Sequence, residues 1–202
     1  EQMEDPKQAK GLVKREVIRV VTPGTLTNSQ VLEESKNNYL MGIVYIDGVF
    51  GVSTVDVSTG DYLVTEVRNE RSLLDEIYKF SPSELICNEA FYMSGIDLED
   101  LKVRLNAVIS ALENRFFSDD SCRRILREHF HVEHLEALGL ADYETGAIAA
   151  GAVLQYLYET QKNTLEHLTR LTVYTTGQFM MLDTSTRRNL ELTETLREKQ
   201  KR

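Results

Sequence analysis

The sequence predicts an α/β fold in which a mixed β-sheet with flanking helices is followed by a mainly α-helical segment. The sheet is predicted by short β-branched runs separated by turn signals, and by amphipathic stretches that then alternate with further short apolar runs. The helical segment is predicted because the pattern changes to helix after residue 117. The 202 residues are 42% hydrophobic and 27% charged, which is sufficient for one large or two small domains.

The first part of the chain predicts three antiparallel strands joined by turns. These strands are expected at residues 39–46, 49–57 and 62–67. The Asp47-Gly48 dipeptide favours a two-residue hairpin, since both positions tolerate positive φ, and residues 58–61 supply the second turn. A separate β-branched run at 16–21 stops at Pro23-Gly24. We expect this strand to pair with the sheet or with a second copy, or to be mobile.

Helices and strands alternate from residue 69 onward. The elements expected here are a helix at 69–80, a strand at 84–87, a helix at 97–105 and a strand at 107–112. Asn69 is a suitable N-cap for the first helix, and Ser81-Pro82 stops it. This order implies parallel strands joined by right-handed crossovers, and therefore a mixed sheet.

Helical patterns fill most of the remaining sequence. Helices are expected at residues 119–130, 144–162 and 183–202, with a short amphipathic turn at 132–140 and short apolar runs at 171–174 and 179–182. The first half of the second helix is narrow because small residues occupy six positions: Gly146, Ala147, Ala149, Ala150, Gly151 and Ala152. A neighbouring helix or strand can therefore approach it closely.

The charge distribution argues against a free-standing DNA-binding protein, because the net charge is −9. The C-terminal stretch differs, since residues 186–202 carry six basic and three acidic side chains. Arg187 and Arg188 are candidates for contacts to a DNA phosphate backbone. A solvated helix face is the simpler interpretation of this basic tail.

A second charged cluster lies on the helix predicted at 119–130. Arg123, Arg124 and Arg127 together with Glu128 are candidates for a protein interface. A basic stripe on an acidic domain can steer a partner protein toward it. An ordinary solvated surface is the alternative for any one of these residues.

Three kinds of chemistry receive little support from the sequence. His129, His131 and His134 form an HxHxxH run without a Cys or carboxylate at matching spacing, so exposed helix histidines are favoured over a metal site. Asp47 and Asp56 are the candidate carboxylates of a two-metal nuclease, although Asp47 is better explained by its turn. Nucleophile and phosphate-loop motifs are missing, so no catalytic, metal-binding or cofactor-binding residue is assigned.

The cysteines and the apolar runs predict a cytoplasmic piece of a longer protein. Cys87 and Cys122 lie far apart with no CxxC pair, which is typical of a reducing compartment. The longest weakly polar stretch, 146–154, is about half of the roughly 20 residues that cross a bilayer, so no membrane span is expected. Met3 lies inside the chain and the helical run at 196–202 has no terminator, which indicates cut ends.

Three ordered blocks carry a resemblance to a known family. They are EQMEDPKQAKGLVKREVIRVVTPGT at 1–25, GAIAAGAVLQYLYETQ at 146–161 and MLDTSTRRNLELTETLRE at 181–198. Together they resemble the bacterial MutS DNA mismatch-repair family. The resemblance implies that residues 1–30 are the tail of a mismatch-binding domain and a linker, 31–143 a connector domain of ribonuclease H-like fold, and 144–202 a connecting helix and the start of a lever domain.

The resemblance also implies a function for the longer protein. Such a protein uses ATP and Mg²⁺, clamps mismatched DNA as a homodimer and recruits MutL. Its ATP-binding and mismatch-reading parts would lie outside these 202 residues, so the piece itself is expected to be no enzyme. We expect it to relay conformational change, with the narrow helix at 144–162 coupling connector to lever, and to contribute to MutL docking. The alternatives are a ribonuclease H-like metal-dependent nuclease and a nonspecific DNA-binding piece.

Overall fold

The computed structural model describes residues 20–25, 37–161 and 165–176. The strands are β1 (Leu40–Ile46), β2 (Val49–Asp56), β3 (Asp61–Val67), β4 (Glu84–Cys87), β5 (Val108–Ala111) and β6 (Thr172–Val173). The helices are α1 (Glu70–Phe80), α2 (Glu89–Tyr92), α3 (Leu98–Leu105), α4 (Asp119–Phe130) and α5 (Glu144–Gln161). Short 3₁₀ turns are formed by Pro23–Thr25, Asn114–Phe117 and Leu135–Leu138.

All six strands belong to one mixed sheet, in the order β5-β4-β1-β2-β3-β6. The β1-β2 and β2-β3 pairs are antiparallel, whereas β4 is parallel to β1, β5 to β4 and β6 to β3. Asp47 and Gly48 adopt φ angles of 48° and 81° in the first hairpin, as the dipeptide predicts. The predicted α/β class with a mixed sheet is therefore confirmed.

Local signals explain where α1 begins and ends. Asn69 caps the helix by accepting a hydrogen bond from the backbone N–H of Ser72 at 2.8 Å. Ser81 adopts the left-handed conformation, with φ of 44°, directly before Pro82. The helix covers one face of the sheet and contributes three side chains to the core there: Leu73, Ile77 and Phe80.

The short helix α2 has no counterpart among the predicted elements. Asn88 caps it by accepting a hydrogen bond from the N–H of Phe91 at 3.2 Å. The same Asn88 side chain bonds the backbone N–H and C=O of Tyr45, each at 3.1 Å. These bonds fix α2 beside β1, and Phe91 is completely buried in the core that α1 covers.

The opposite face of the sheet is covered by α5 at very short distance. A Cβ on Gly51 of β2 would lie 2.2 Å from the carbonyl oxygen of Thr145, and a Cβ on Gly42 of β1 would lie 2.4 Å from Val153 Cγ2. Only glycine leaves room for this approach. Residues 145–154 of α5 are all buried, so this half of the helix is surrounded by protein.

The second close approach on α5 involves α4. A Cβ on Gly151 would lie 2.4 Å from the Cβ and 2.5 Å from the Cα of Cys122. The narrow face of α5 therefore packs against α4 and the sheet, as the small residues predict. The coupling of this helix to a lever domain stays a prediction. The domain boundary after residue 143 stays a prediction.

Several predicted elements fall wholly or partly outside the described residues. The strand expected at 16–21 is described only at Val20 and Val21, which are exposed and not in a strand. The run at 171–174 is described and forms β6. The run at 179–182 and the helix at 183–202 lie outside the described residues.

Candidate docking surface and connecting segments

Three of the predicted interface residues lie together on the exposed face of α4. Arg123, Arg124 and Arg127 line an open groove of about 540 Å³. Arg123 pairs with Asp119 one turn earlier, Nε to Oδ1, at 2.7 Å. Within the described part of the chain, Arg124 and Arg127 form no ion pair. Two guanidinium groups are thus available for carboxylate or phosphate recognition.

The surroundings of these arginines are mixed in charge. Asp120 on α4 and Glu133 and Glu136 on the following segment also line the groove. The buried Leu135 lines it as well. The cluster is therefore a local patch of mixed charge, because Asp120 on the same helix and two glutamates of the following segment lie beside the basic stripe.

The fourth predicted interface residue, Glu128, points elsewhere. It lines a second groove, of about 380 Å³, on the other side of α4. Tyr158 of α5 and Glu166 line the same groove. The structure thus brings the three arginines together and separates Glu128 from them.

The HxHxxH run forms no shared site. His129 is half-buried, with Nδ1 2.7 Å from the Tyr158 hydroxyl and Nε2 2.7 Å from the Leu168 carbonyl oxygen, so the expectation of an exposed side chain is wrong for this residue. His131 ends α4 in the left-handed conformation, with φ of 54°. His134 is exposed in the next segment. Among residues 20–25, 37–161 and 165–176, no three metal-ligating side chains come together.

The two carboxylates considered for a nuclease lie at opposite ends of β2. Asp47 is in the turn before the strand and Asp56 is its last residue, which separates them by roughly 25 Å. Asp56 is fully buried and accepts hydrogen bonds from the N–H of Asn38 and from the N–H and hydroxyl of Ser58. Two metal ions about 4 Å apart need carboxylates that converge. The nuclease alternative is therefore not supported.

Both thiols are enclosed by the fold. Burial raises the pKa of Cys87 to about 12 and the pKa of Cys122 to about 12. The thiolate is the reactive form of cysteine, so neither side chain is ionised at neutral pH. Cys122 has a packing role instead, since it lies directly against Gly151.

The segment that leads into the sheet, residues 20–25, is held by a buried carboxylate. Glu84, the first residue of β4, is 2% exposed. Its Oε2 accepts a hydrogen bond from the N–H of Gly24 at 2.9 Å, and its Oε1 accepts one from the hydroxyl of Tyr156 on α5 at 2.5 Å. Burial and the neighbouring Glu84 raise the pKa of Tyr156, so its hydroxyl remains a donor at neutral pH.

The segment that leads out of the sheet, residues 171–176, is held in a similar way. Tyr174 donates its backbone N–H to the carbonyl of Val64 at 3.0 Å and its hydroxyl to Glu76 Oε2 on α1 at 2.6 Å. Its own carbonyl accepts a hydrogen bond from the Thr65 hydroxyl at 2.7 Å. Lys79 neutralises Glu76 at 3.0 Å, and burial together with Glu76 raises the pKa of Tyr174.

No motif in the sequence marks either of these two carboxylates as a contact to a connecting segment. Glu84 heads a four-residue strand that is otherwise apolar, and Glu76 lies on the buried side of α1. They could have been found because each carboxylate occupies a position that the hydrophobic pattern assigns to the core. A buried charge requires hydrogen-bond or ion-pair partners, so such a position predicts a contact with another part of the chain.

Two models of known protein families match this sequence. The family model described as MutS domain II matches residues 38–169, and the one described as MutS domain I matches residues 1–30. The chain belongs to the MutS family. The domain II match includes every helix and strand from β1 to α5, and the domain I match includes the leading segment 20–25.

Members of the MutS family resemble the chain over its whole length. It is 59% identical over 202 residues to the DNA mismatch repair protein MutS of Lachnoclostridium phytofermentans, and 45% identical over 205 residues to that of Acetivibrio thermocellus. These matches cover 100% of this chain but only 22% and 23% of those proteins. The chain therefore spans less than a quarter of the length of these MutS proteins.

Two further expectations concern DNA and membranes. Arg187 and Arg188, the candidates for phosphate contacts, lie outside the described residues, so they stay a prediction. In the described ranges, no helix has the length and apolar character needed to cross a membrane.

Proposed function

We propose that this chain is the connector part of a cytoplasmic mismatch-repair ATPase, and that it relays conformational change between a DNA-reading domain and an ATPase domain. The single observation that supports this role is the attachment of both connecting segments to one packed body. Residues 20–25 are bonded to β4 and α5, and residues 171–176 to β3 and α1. Relay elements of this kind need a stiff body between adaptable joints.

The body between the two segments is stiff for a physical reason. Its sheet is covered on one face by α1 and on the other by α5, and the second helix meets both the sheet and α4 at glycines. Close-packed interiors transmit displacement because they have little free volume. In this proposal ATP, Mg²⁺ and mismatched DNA bind to the remainder of the homodimeric protein, and these residues perform no catalytic step.

The relay proposal predicts a loss of coupling when the trailing segment is loosened. In the complete protein, Glu76→Gln combined with Tyr174→Phe removes the charge and the hydroxyl that join α1 to residues 171–176. We expect the effect of mismatched DNA on ATP turnover to fall about two- to thirty-fold, with ATP turnover in the absence of DNA unchanged.

The matched control is Tyr78→Phe, an exposed tyrosine on the same helix. It should leave the coupling unaltered. Steady-state ATP turnover with homoduplex and mismatched DNA measures both quantities. Equal coupling in the double variant and the control would contradict the relay.

We further propose that the arginines of α4 contribute to the docking of MutL. Arg124 and Arg127 are supported as candidates by their exposure and by their lack of ion pairs within the described residues. Guanidinium groups recognise carboxylates through paired hydrogen bonds. The partner surface would then carry acidic side chains opposite this patch.

Charge reversal tests the docking proposal. Arg124→Glu with Arg127→Glu in the complete protein is expected to weaken MutL binding at least about tenfold, because like charges would face each other across the interface. Arg71→Glu with Arg104→Glu, at arginines on α1 and α3, is the control and should bind normally. Binding is measured by surface plasmon resonance at two salt concentrations. Identical affinities for the two double variants would rule out this surface.

A further inference from the structure

The 3₁₀ turn Pro23–Thr25 rests directly on the ends of two strands. Its Gly24 lies so close to them that a Cβ there would be 2.9 Å from the Cβ of Glu84 and 2.9 Å from the Cβ of Leu40. These two residues begin the parallel strands β4 and β1 and are paired with each other. The turn therefore occupies a defined position against Glu84 and Leu40, called its seat below, in which residue 24 must be small.

Glu84 joins this seat to α5 through both oxygens of one carboxylate. Each oxygen accepts a hydrogen bond from a different element, the turn on one side and Tyr156 on the other. A buried carboxylate that loses a donor bears a desolvation cost, which makes the arrangement selective for the seated position.

Two further hydrogen bonds of the leading segment use backbone carbonyls and no charged group. Val20 donates its N–H to the Thr160 carbonyl at 2.7 Å, and the Val20 side chain is 44% exposed. Asn38 donates to the carbonyl of Pro23 at 2.8 Å in an exposed position. Among the described residues, Glu84 is the one buried charged side chain that bonds this segment. The trailing segment differs, because it is paired in the sheet through β6.

We propose that Glu84 is a positioning residue that fixes the leading segment on β4 and α5, and that its loss releases this segment without disturbing the rest of the fold. This inference deepens the proposed relay, because the orientation of the domain before residue 20 would be set by one carboxylate. The hydrogen bonds themselves do not depend on the relay. The seat can therefore be tested in this chain alone.

Amide hydrogen exchange of this chain, resolved by residue, provides the test. Glu84→Gln retains the side-chain shape but places an NH₂ group opposite either the Gly24 N–H or the Tyr156 hydroxyl, both of which are donors. Tyr156→Phe removes the hydroxyl donor. In each variant we expect the Gly24 amide to exchange at least about tenfold faster. The Tyr174 amide, bonded to Val64, should change less than about twofold because its local opening is independent.

Two further variants make the test decisive. Gly24→Ala pushes the turn away from Glu84 and Leu40 while residue 84 remains a glutamate, and it should reproduce the selective change even if Glu84→Gln impairs folding. Tyr174→Phe is the reciprocal control and should leave Gly24 protected. Unchanged exchange at Gly24 in the Tyr156→Phe and Gly24→Ala variants would overturn the inference, as would equal acceleration at Gly24 and Tyr174. Coupling of mismatched DNA to ATP turnover is measured separately, so failure of the relay is distinguishable from failure of the seat.

Discussion

Gly151→Leu is expected to destroy the native packing of α4 on α5. The Cβ alone would lie 2.4 Å from the Cβ and 2.8 Å from the carbonyl oxygen of Cys122, and leucine adds three more carbons. Overpacking of a core usually costs about 1–3 kcal/mol, and backbone atoms cannot move aside as a flexible side chain does. We expect the free energy of unfolding to fall by at least about 3 kcal/mol.

Urea unfolding followed by circular dichroism measures this loss. Glu159→Leu is the control, since it places the same side chain on an exposed position of α5 and removes only an exposed ion pair with Arg115. The control should lose less than about 1 kcal/mol. An unaltered unfolding midpoint for the Gly151 variant would show that α4 and α5 are not in close contact.

Phe91→Ala is expected to lower the free energy of unfolding by about 3–5 kcal/mol. The ring is completely buried and meets Phe50 edge to face, with ring centroids 6.3 Å apart. Its removal leaves a cavity between α2 and the sheet, because α2 is held in place by Asn88 and cannot collapse freely.

The neighbouring residue provides the control for this cavity. Tyr92 is on the same helical turn but 40% exposed, and Tyr92→Ala should cost less than about 1 kcal/mol. Both variants are compared by urea unfolding in the same buffer. Equal losses would mean that α2 does not pack on the sheet through Phe91.

The elements that could be predicted are those whose signals are local. The Asp47-Gly48 turn and the Asn69 cap each act within a few residues, so the hairpin and α1 follow from the sequence. The helix α2 could not be predicted in this way, because four residues give no periodicity. Its position depends on bonds from Asn88 to Tyr45, 43 residues earlier.

In the candidate site, too, the features set by local spacing could be predicted and those set by distant contacts could not. The shared face of Arg123, Arg124 and Arg127 follows from helical spacing alone. Among their acidic neighbours, Asp120 follows from the same spacing, but Glu133 and Glu136 do not, because residues 133–136 reach the groove only after the chain has turned back. The partners of Glu84 and Glu76 lie 60 and 98 residues away in sequence, at Gly24 and Tyr174, and no local pattern contains such pairs.

The pairing of β6 with β3 has a mechanical consequence for whatever follows residue 176. Force along the axis of β6 would shear its hydrogen bonds to β3 and the Tyr174 bond to Val64 together. Force perpendicular to the sheet would instead peel these bonds apart one after another. The connection at β6 is therefore expected to resist force along the strand more strongly than force perpendicular to the sheet.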